Sequence, residues 1–425
     1  MPRTIFAAIL ALVVFAGPLA GQEDERPNIL FILTDDHRPD GMGCYGNESI
    51  RTPNFDRIAA EGARLDSFYV AAPLCCPSRA AFLSGLWPHQ NGVMNNQGGP
   101  DLAKGTPTIA TALAHAGYVT GFVGKAHMGG DPRRWDFSET PVWLPGGGSK
   151  HEDPTLFVDG ERKNVEGLVT QIFADAATRW IEEHKEDRWF LWLATTSPHK
   201  PYLRDPDHPY RLSEIRPPPL WPEGEPLSDA DWEGYYSTIS MLDAEVGRVL
   251  AKLAETGQLD RTFIFVAGDN GFMHGSHGYP AKSVWFEEAT RVPALARWPG
   301  RIRAGTAVKA PIVAVDLFPT LSEIAGAPVP EGLEATSMLP ALTGGEPRRK
   351  IAGSELAGGR RGVNEWQMVR SDDLKYVREG SGAEHLYDLV ADPDEGTDLA
   401  KDSKRAKDLE RMREVHAKWL ADTPK

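Results

Sequence analysis

Cysteine is scarce in this chain: only three of its 425 residues are cysteines, and two of them, Cys75 and Cys76, are adjacent. The odd count excludes a framework in which every cysteine is paired. Adjacent cysteines are poor partners for each other, because a disulfide needs Cα atoms at least about 4.4 Å apart in a particular orientation. The two are also too close together, and too isolated from other Cys or His at ligand spacing, for a structural zinc site. The pair therefore needs another explanation.

The chain also lacks an excess of positive charge. Its 46 Lys and Arg residues stand against 60 Asp and Glu residues, and the formal net charge is −14 at pH 7. Nucleic-acid-binding proteins usually carry a basic surface, so we expect no nucleic-acid partner. A small anionic substrate is still compatible with this balance, because a local cluster of cations can oppose the global field.

Long apolar runs are missing except near the N-terminus, where Arg3 precedes an apolar stretch from Ile5 to Phe15. That stretch is too short and wrongly flanked for a membrane span, and it predicts a signal peptide over residues 1–20. A retained N-terminal anchor is the alternative. We expect a mature chain that begins near Gly21, is periplasmic or secreted, and has no stable membrane insertion.

Four short apolar runs stand out in the rest of the chain and alternate with helical patterns: 28–33, 118–124, 189–194 and 262–268. This alternation predicts an α/β fold with a large, mostly parallel sheet covered by helices. The runs are followed by polar or ionisable residues, in order Asp35 and Asp36, Lys125 and His127, His199, and Asp269 and Asn270. Because ligands of open α/β sheets bind beyond the carboxyl ends of the strands, these residues predict one convergent site.

The pattern changes after about Gly344. Residues 366–379 and 384–389 are typical of antiparallel strands, and a charged helical segment follows from about Ser403 to Ala421. We therefore expect a main domain over residues 21–345 and a small C-terminal α+β subdomain over residues 346–425.

The two cysteines open the string Cys75-Cys76-Pro77-Ser78-Arg79, which is followed by AAFLSGLWPHQNG. Proline suits the first turn of a helix, so Cys75 is expected at a helix N-terminus, where free N–H groups favour an anion or a nucleophile. For two cysteines alone, packing as small hydrophobes would be the simpler reading. The whole string resembles the signature of the type I sulfatases, in the alkaline-phosphatase-like superfamily. The resemblance implies that Cys75 is oxidised to Cα-formylglycine by a formylglycine-generating maturation enzyme, with Cys76 as a small filler.

Two further segments resemble the metal-binding parts of that family: NILFILTDDHRPDGMGCYG (28–46) and VAGDNGFMHGSHG (266–278). The implied metal ligands are Asp35, Asp36, Asp269, Asn270 and the oxygen of the formylglycine at Cys75. An all-oxygen shell fits a hard cation, so Ca²⁺ is expected, with Mg²⁺ as the alternative.

Three more segments extend the resemblance: GKAHMG (124–129), SPHKPY (197–202) and SHGYPAKSVWFEEATRVPALARWPG (276–300). They imply catalytic roles for Lys125, His127, His199 and Lys282, beside Cys75 and Arg79. The tail LYDLVADPDEGTDLA (386–400) is also similar to the family's tail motif. Where the family often has Trp, this chain has Ala126, which implies a more open pocket wall.

The implied reaction is hydrolysis of sulfate esters, on a sulfated small molecule or glycan and most plausibly a sulfated sugar or polysaccharide. The substrate-binding residues implied by the resemblance are Arg79, Lys125, His199 and Lys282. Asp269 would take a proton from the attacking hydroxyl of hydrated formylglycine, and His199, helped by Lys282, would protonate the leaving alcohol. A sulfated enzyme would result, and His127 would then promote release of sulfate.

Two other functions compete with this one. A phosphodiester or phosphonate monoester hydrolase could use the same site, because a metal and three cations can bind the oxygens of either kind of tetrahedral oxyanion. A non-enzymatic binding module would predict a lost nucleophile or ligand, and this chain retains each one that the motifs identify.

Several charged residues stay open from sequence alone. A sugar carboxylate or a second sulfate could be bound by four residues of one loop, or that loop could simply be solvated. The four residues are Arg133, Arg134, Lys150 and His151. The roles of Lys200 and His277 are likewise open. We expect His37, Arg38 and His89 to be structural.

Overall fold

The structure, a computed structural model, describes residues 26–218, 220–221, 229–358 and 363–425, with the side chains of residues 229–231 left out. The expected signal peptide over residues 1–20 lies outside the described residues. The strands are β1 (Asn28–Thr34), β2 (Ala63–Leu65), β3 (Phe68–Tyr69), β4 (Val119–Lys125), β5 (Val142–Leu144), β6 (Thr155–Val158), β7 (Glu161–Asn164), β8 (Trp189–Ala194), β9 (Thr262–Gly268), β10 (Ala294–Arg297), β11 (Thr306–Val308), β12 (Ile312–Val313), β13 (Ile351–Leu356), β14 (Trp366–Ser371), β15 (Leu374–Glu379) and β16 (Glu384–Asp388). The α-helices are α1 (Pro53–Glu61), α2 (Cys75–Ser84), α3 (Pro88–Asn91), α4 (Ile109–His115), α5 (Val169–Glu183), α6 (Asp229–Glu255), α7 (Glu287–Thr290), α8 (Leu317–Ala325), α9 (Leu339–Leu342) and α10 (Ala406–Asp422).

A ten-stranded sheet forms the centre of the fold, in the order β11-β2-β10-β9-β1-β8-β4-β5-β6-β7. Its middle strands β9, β1, β8 and β4 are all parallel, and they are the four apolar runs of the sequence. Strand β10 runs antiparallel to both of its neighbours, and β5, β6 and β7 form an antiparallel edge. The predicted α/β sheet is confirmed, with a parallel centre and mixed edges.

Both faces of the central strands of this sheet are buried under helices, as continuous apolar strands require. Along β1, Ile29 and Phe31 face one core with α2, α4 and α8. The alternate residues Leu30 and Ile32 face a second core with α1, α5 and α6. Each fully buried side chain of this kind contributes roughly 1.5–3 kcal/mol through its removal from water. Helices on both faces leave the carboxyl edge of the central strands for a site.

A second, four-stranded antiparallel sheet lies near the C-terminus, in the order β13-β14-β15-β16. Helix α10 packs on it, and Trp419 of that helix meets Trp87 edge-on at 5.1 Å. Strands β14 to β16 and helix α10 correspond to the predicted elements, whereas β13 was not predicted. The subdomain boundary at residue 346 stays a prediction. In the part of the chain that the structure describes, no helix combines the length and apolarity needed to cross a bilayer.

Candidate active site

Side chains at the carboxyl ends of the central strands meet in one buried cluster. Asp35 and Asp36 follow β1, and Asp269 follows β9. Potential ligand atoms of these three carboxylates and of Cys75 all lie within 4.8 Å of one another. Three buried carboxylates this close repel one another, so the cluster needs cations nearby to exist in the fold.

Cys75 reaches this cluster because it is the first residue of α2. Leu74 before it is extended, and Gly85 after the helix adopts the left-handed conformation that ends it. The Cys75 Sγ lies 3.6 Å from Asp35 Oδ1 and 2.6 Å from Lys282 Nζ. Burial raises the pKa of the Cys75 thiol to about 12, against the opposing effect of nearby lysines. A thiol held neutral is a poor nucleophile, so the unmodified side chain is unsuited to attack.

The predicted metal ligands form an oxygen-rich set. The Asn270 amide donates to Asp36 Oδ1 at 2.6 Å and accepts from Lys282 Nζ at 3.2 Å. Asp36 has a φ of 60°, a left-handed conformation that costs a non-glycine residue energy and is typical of functional sites. The ammonium group of Lys282 donates to Asp36, so the cluster already attracts a cation. Buried carboxylate and amide oxygens of this kind fit a hard divalent cation.

The surrounding charges shift the pKa values of two of the carboxylates, Asp35 and Asp269, in opposite directions. Burial alone would raise the pKa of Asp35, but the positive charges of Lys125, His199 and Arg79 hold it well below its usual range. Burial and the negative charge of Asp35 raise the pKa of Asp269 to about 6.

Arg79 and Lys125 supply two of the fixed cations. Arg79 is one helical turn beyond Cys75, and its Nε donates to Asp269 Oδ2 at 2.8 Å while its Nη1 donates to the Lys125 carbonyl at 2.5 Å. The ammonium of Lys125, fully buried, donates to Asp35. Lys125 is preceded by Gly124, with a φ of 115°, where a Cβ would lie 1.9 Å from the carbonyl oxygen of Ala194. Only glycine lets β4 approach β8 this closely.

His127 and His199 face the cluster from different strands. His127 has a φ of 60°, and burial, with Lys125 and Arg79 nearby, lowers its pKa to about 2. The Nδ1 of His199 lies 2.6 Å from the Lys200 carbonyl, which makes Nδ1 the donor of that hydrogen bond. Its Nε2 then faces Asp36 Oδ2 at 3.7 Å, and the ring remains partly exposed. His199 is thus the more accessible proton carrier of the two.

A glycine-rich loop at residues 145–151 lies against both histidines. A Cβ on Gly147 would come within 2.3 Å of His127 Nε2, and one on Gly148 would lie 3.7 Å from His199 Cε1. His151 is buried, and its pKa is lowered to about 4 by burial and by the charge of His199. The loop is therefore part of the site wall; sequence analysis named Lys150 and His151 as possible binding residues but left a solvated loop as the alternative. Its run of three glycines was the available signal, since glycine runs allow close approach of backbone to a ligand or side chain.

Four buried polar atoms around the cluster have no hydrogen-bond partner among the described residues: Arg79 Nη2, His127 Nδ1, Ser78 Oγ and Thr196 Oγ1. Such atoms are costly unless a ligand or water satisfies them. Ser78 and Thr196 were not predicted as site residues, and their hydroxyls are buried without a partner among the described residues.

The side chains of most remaining residues whose roles sequence left open have partners outside the cluster. Each has a structural contact: His37 with Thr34, Arg38 with Asp40, His89 with Glu355, His277 stacked on Phe286, Arg133 with Asp131 and Arg134 with Asp101. Lys150 and Lys200 are exposed. The expected structural roles of His37, Arg38 and His89 agree with these contacts.

A mixed sheet with a metal-suited acidic cluster at the carboxyl edge of its central strands is compatible with a metal-dependent hydrolase. Residues 27–327 match the family model described as Sulfatase, and residues 275–420 match the one described as N-sulphoglucosamine sulphohydrolase, C-terminal. The chain therefore belongs to the sulfatase family, and hydrolysis of sulfuric esters is its reaction class.

Individual relatives are similar along nearly their whole length. An N-acetylglucosamine-6-O-sulfatase of Bacteroides thetaiotaomicron is 28% identical over 98% of this chain and 90% of its own. A protein solved in complex with its substrate D-glucosamine-2-N,6-O-disulfate superposes with a TM-score of 0.85 and 25% identity, over 94% of this chain and 98% of that one. A phosphonate monoester hydrolase of Agrobacterium radiobacter shares the fold, with a TM-score of 0.76 and 23% identity over 93% and 96% of the two chains.

Proposed function

We propose that this chain hydrolyses the sulfate ester of a sulfated sugar, with Cys75 converted to Cα-formylglycine. The observation that carries the proposal is the position of Cys75: a cysteine at a helix N-terminus, within 4.8 Å of three carboxylates and beside Lys282. Its thiol is held neutral by burial, so the cysteine itself gives the site no nucleophile. A hydrated aldehyde would supply one hydroxyl for attack on sulfur and a second for release of sulfate.

The same cluster would hold a divalent cation, Ca²⁺ in our proposal and Mg²⁺ as the alternative. Its ligands would be Asp35, Asp36, Asp269, Asn270 and the side chain at position 75. When bound, the ion would neutralise charge on the sulfate oxygens.

The protein side chains would then divide the remaining work. Arg79, Lys125 and Lys282 surround position 75 and would bind the sulfate oxygens as charge develops on them. Asp269 would accept the proton of the attacking hydroxyl, and His199 would donate one to the leaving alcohol. His127, two residues after Lys125 in the chain, would take the proton of the second hydroxyl when sulfate is released.

The sugar substrate is supported by the relatives. One is named for N-acetylglucosamine 6-O-sulfate, and another was solved with a disulfated glucosamine. We further infer that the chain is exported, to the periplasm or the exterior, on the basis of the apolar N-terminal run. A formylglycine-generating enzyme would be its maturation partner.

The test combines peptide mass with activity. Trypsin should release Leu65–Arg79 as one peptide, and in protein from the native host or from a host with a maturation enzyme its mass should be that of an aldehyde at position 75. Activity on 4-nitrophenyl sulfate should vanish in Cys75→Ala and persist in the matched variant Cys76→Ala. An intact thiol in matured, active protein would contradict the proposal.

The phosphonate alternative is decided with the same preparation. We expect faster hydrolysis of 4-nitrophenyl sulfate than of 4-nitrophenyl phenylphosphonate, compared as kcat/KM. The reverse order would favour the phosphonate monoester hydrolase.

A further inference from the structure

Arg38 is among the largest fully buried side chains of the described residues, with 1% of its surface exposed. It lies two residues after Asp36, one of the proposed metal ligands. A buried guanidinium loses its hydration, and that loss is costly unless an opposite charge and hydrogen bonds replace it. The groups that accept its hydrogen bonds therefore show which part of the protein this charge holds in place.

The guanidinium of Arg38 contacts a carboxylate on one side and a loop on the other. Its Nε and Nη2 donate to the two carboxylate oxygens of Asp40 at 2.8 and 2.9 Å, a bidentate pair that fixes the plane of the group. The remaining nitrogen, Nη1, lies 3.1 Å from the Phe272 carbonyl oxygen, 2.7 Å from the Met273 carbonyl oxygen and 3.1 Å from Ser276 Oγ. One nitrogen thus serves three acceptors of a single loop.

That loop, residues 271–281, joins two groups of the proposed site, Asn270 and Lys282. It folds back on itself, because the N–H of Met273 donates to the Ala281 carbonyl at 2.8 Å. The carbonyl of Met273 accepts from the guanidinium, as described above. Met273 therefore links the guanidinium to the residue that directly precedes Lys282.

Both ends of the 271–281 loop lead back to Asp36. The Asn270 amide donates to Asp36 Oδ1 at 2.6 Å, and the ammonium group of Lys282 donates to the same oxygen. Tyr235 of α6 holds this segment from its other side, because its hydroxyl donates to the Asp36 carbonyl at 2.9 Å and accepts from the Arg38 N–H at 3.1 Å. The guanidinium therefore extends to the loop from a backbone segment that is itself fixed.

We propose that Arg38 is a positioning residue that sets the placement of Asn270 and Lys282 relative to Asp36. The N–H of His37 donates to the Asn270 carbonyl at 3.0 Å and fixes the start of the loop, while the guanidinium fixes its middle. Arg38 acts through this loop and contacts neither the proposed metal nor the substrate. The inference rests on the proposed function, because it takes Asp36 and Asn270 to hold a divalent cation and Lys282 to bind sulfate.

The experiment measures metal affinity separately from activity. Isothermal titration of metal-depleted, matured protein with Ca²⁺, and in parallel with Mg²⁺, gives dissociation constants for wild type, Arg38→Lys and Arg297→Lys. Arg297 is the matched control, because it is also buried and donates through all three of its nitrogens to two carboxylates and a carbonyl. It lies near the amino end of β9, away from the carboxyl edge that carries the site. Urea unfolding checks that each variant is folded and measures its stability.

We expect Arg38→Lys to weaken Ca²⁺ binding by about tenfold or more, a loss typical of groups that support metal ligands without touching the metal. Lysine keeps the charge, but its single nitrogen cannot bond to the carboxylate and the loop with the planar fork of a guanidinium. Arg297→Lys should bind Ca²⁺ like wild type, although both variants should lose stability in urea. At saturating Ca²⁺, Arg38→Lys should also raise KM for 4-nitrophenyl sulfate, because the loop would no longer hold Lys282 in place.

A second variant, Asp40→Asn, tests the same contact with less risk to the fold. The Asp40 side chain is 42% exposed, and an amide offers the guanidinium one acceptor oxygen instead of two. We expect a smaller loss of Ca²⁺ affinity in the same direction as that of Arg38→Lys.

Two results would overturn the proposal: unchanged Ca²⁺ affinity in folded Arg38→Lys, or an equal loss of affinity in Arg297→Lys. If Arg38→Lys does not fold, unchanged Ca²⁺ affinity in Asp40→Asn would overturn it instead. The proposed function fails in a different way. Wild-type protein that binds neither Ca²⁺ nor Mg²⁺ would contradict the metal itself, and the inference would fall with it.

Discussion

Replacing Lys375 by methionine would remove a cation that two buried glutamates, Glu287 and Glu395, share. Lys375 lies in β15 with no exposed surface, and its Nζ is 2.8 Å from Glu395 Oε1 and 3.1 Å from Glu287 Oε1. Glu287 begins α7, and the carbonyl of Ala289 in that helix accepts from the backbone N–H of Gly271 at 3.0 Å. Gly271 directly follows Asn270. The ion cluster of Lys375, Glu287 and Glu395 is therefore connected, through α7, to the segment that carries Asn270.

The expected loss of stability depends on which carboxylates Lys375→Met leaves without a cation. Glu287 would keep Arg291 at 2.8 Å, whereas Glu395 would keep only the backbone N–H of Glu287 at 2.6 Å. Removing one partner of a buried ion pair costs about 3–5 kcal/mol, because the other charge stays buried. We therefore expect the free energy of unfolding to fall by about 3 kcal/mol or more near neutral pH.

The pH dependence of stability gives a second test of the unpaired charge on Glu395. Burial raises the pKa of Glu395 from 4.5 to about 7 even with Lys375 present, and without the lysine it should rise further. The folded variant then holds a proton that the unfolded chain releases above about pH 4.5, so its stability falls as the pH rises from there through the raised pKa. The loss relative to wild type should be larger at about pH 8 than at about pH 5.5.

Urea unfolding at both pH values would measure these differences for wild type, Lys375→Met and the exposed control Lys309→Met. Adding Glu395→Gln to Lys375→Met should recover part of the lost stability at the higher pH, because the unpaired carboxylate is then gone. If Lys375→Met stayed within about 1 kcal/mol of wild type at about pH 8, the cluster would not be a source of stability and the reasoning would be wrong.

Three further predictions concern the active site. Gly124→Ala should lower the free energy of unfolding, measured with urea, by roughly 2–4 kcal/mol and abolish activity, because its Cβ would clash with Ala194. Gly117→Ala, whose Cβ would meet nothing within 4 Å, should cost about 1 kcal/mol in the same assay. Exhaustive chelation should remove activity on 4-nitrophenyl sulfate and added Ca²⁺ should restore it, so full activity of metal-free protein would be evidence against the metal. His199→Gln should lower kcat/KM on a sugar sulfate by about 10²–10⁴-fold and on 4-nitrophenyl sulfate by much less, because nitrophenolate leaves without a proton; equal losses on both substrates would remove His199 from the role of acid.

The centre of the fold was predictable because its strands are continuous apolar runs. Such runs need helices on both faces, and that requirement alone specifies a parallel, covered sheet. The edges were not predictable from the same signal. Strand β7 consists of Glu161-Arg162-Lys163-Asn164, is exposed throughout, and pairs only with β6, so no hydrophobic pattern reveals it. Strands β2 and β10 are three and four residues long and take their direction from long-range pairing.

The candidate site divides in the same way. Residues inside short motifs, such as Cys75 with Arg79 or Asp269 with Asn270, could be identified from sequence because their spacing is local. Lys150 and His151 of the 145–151 loop were candidates from sequence, but the contacts of this loop with His127 and His199 were not predictable, because they arise between segments that are distant in the chain. The ion cluster around Lys375 joins residues from three separate regions for the same reason. Sequence alone therefore suggested which groups react, while tertiary packing determines what surrounds them.

The balance of charges in this site bears on the divalent cation that we propose it holds. The charged groups at the centre of the site are three buried carboxylates, Asp35, Asp36 and Asp269, and three cations, of which Arg79 and Lys125 are buried and Lys282 is partly exposed. Direct contacts between the two sets offset the cost of burying each charge, and these six side chains together carry no net charge. A neutral site has little attraction for a sulfate ester, which carries one negative charge. With a divalent cation bound, the same site would carry an excess of about two positive charges and would attract the ester and the charge that develops on it. Metal removal should therefore raise KM as well as lower kcat, and an effect on kcat alone would mean that the fixed cations bind the substrate without the metal.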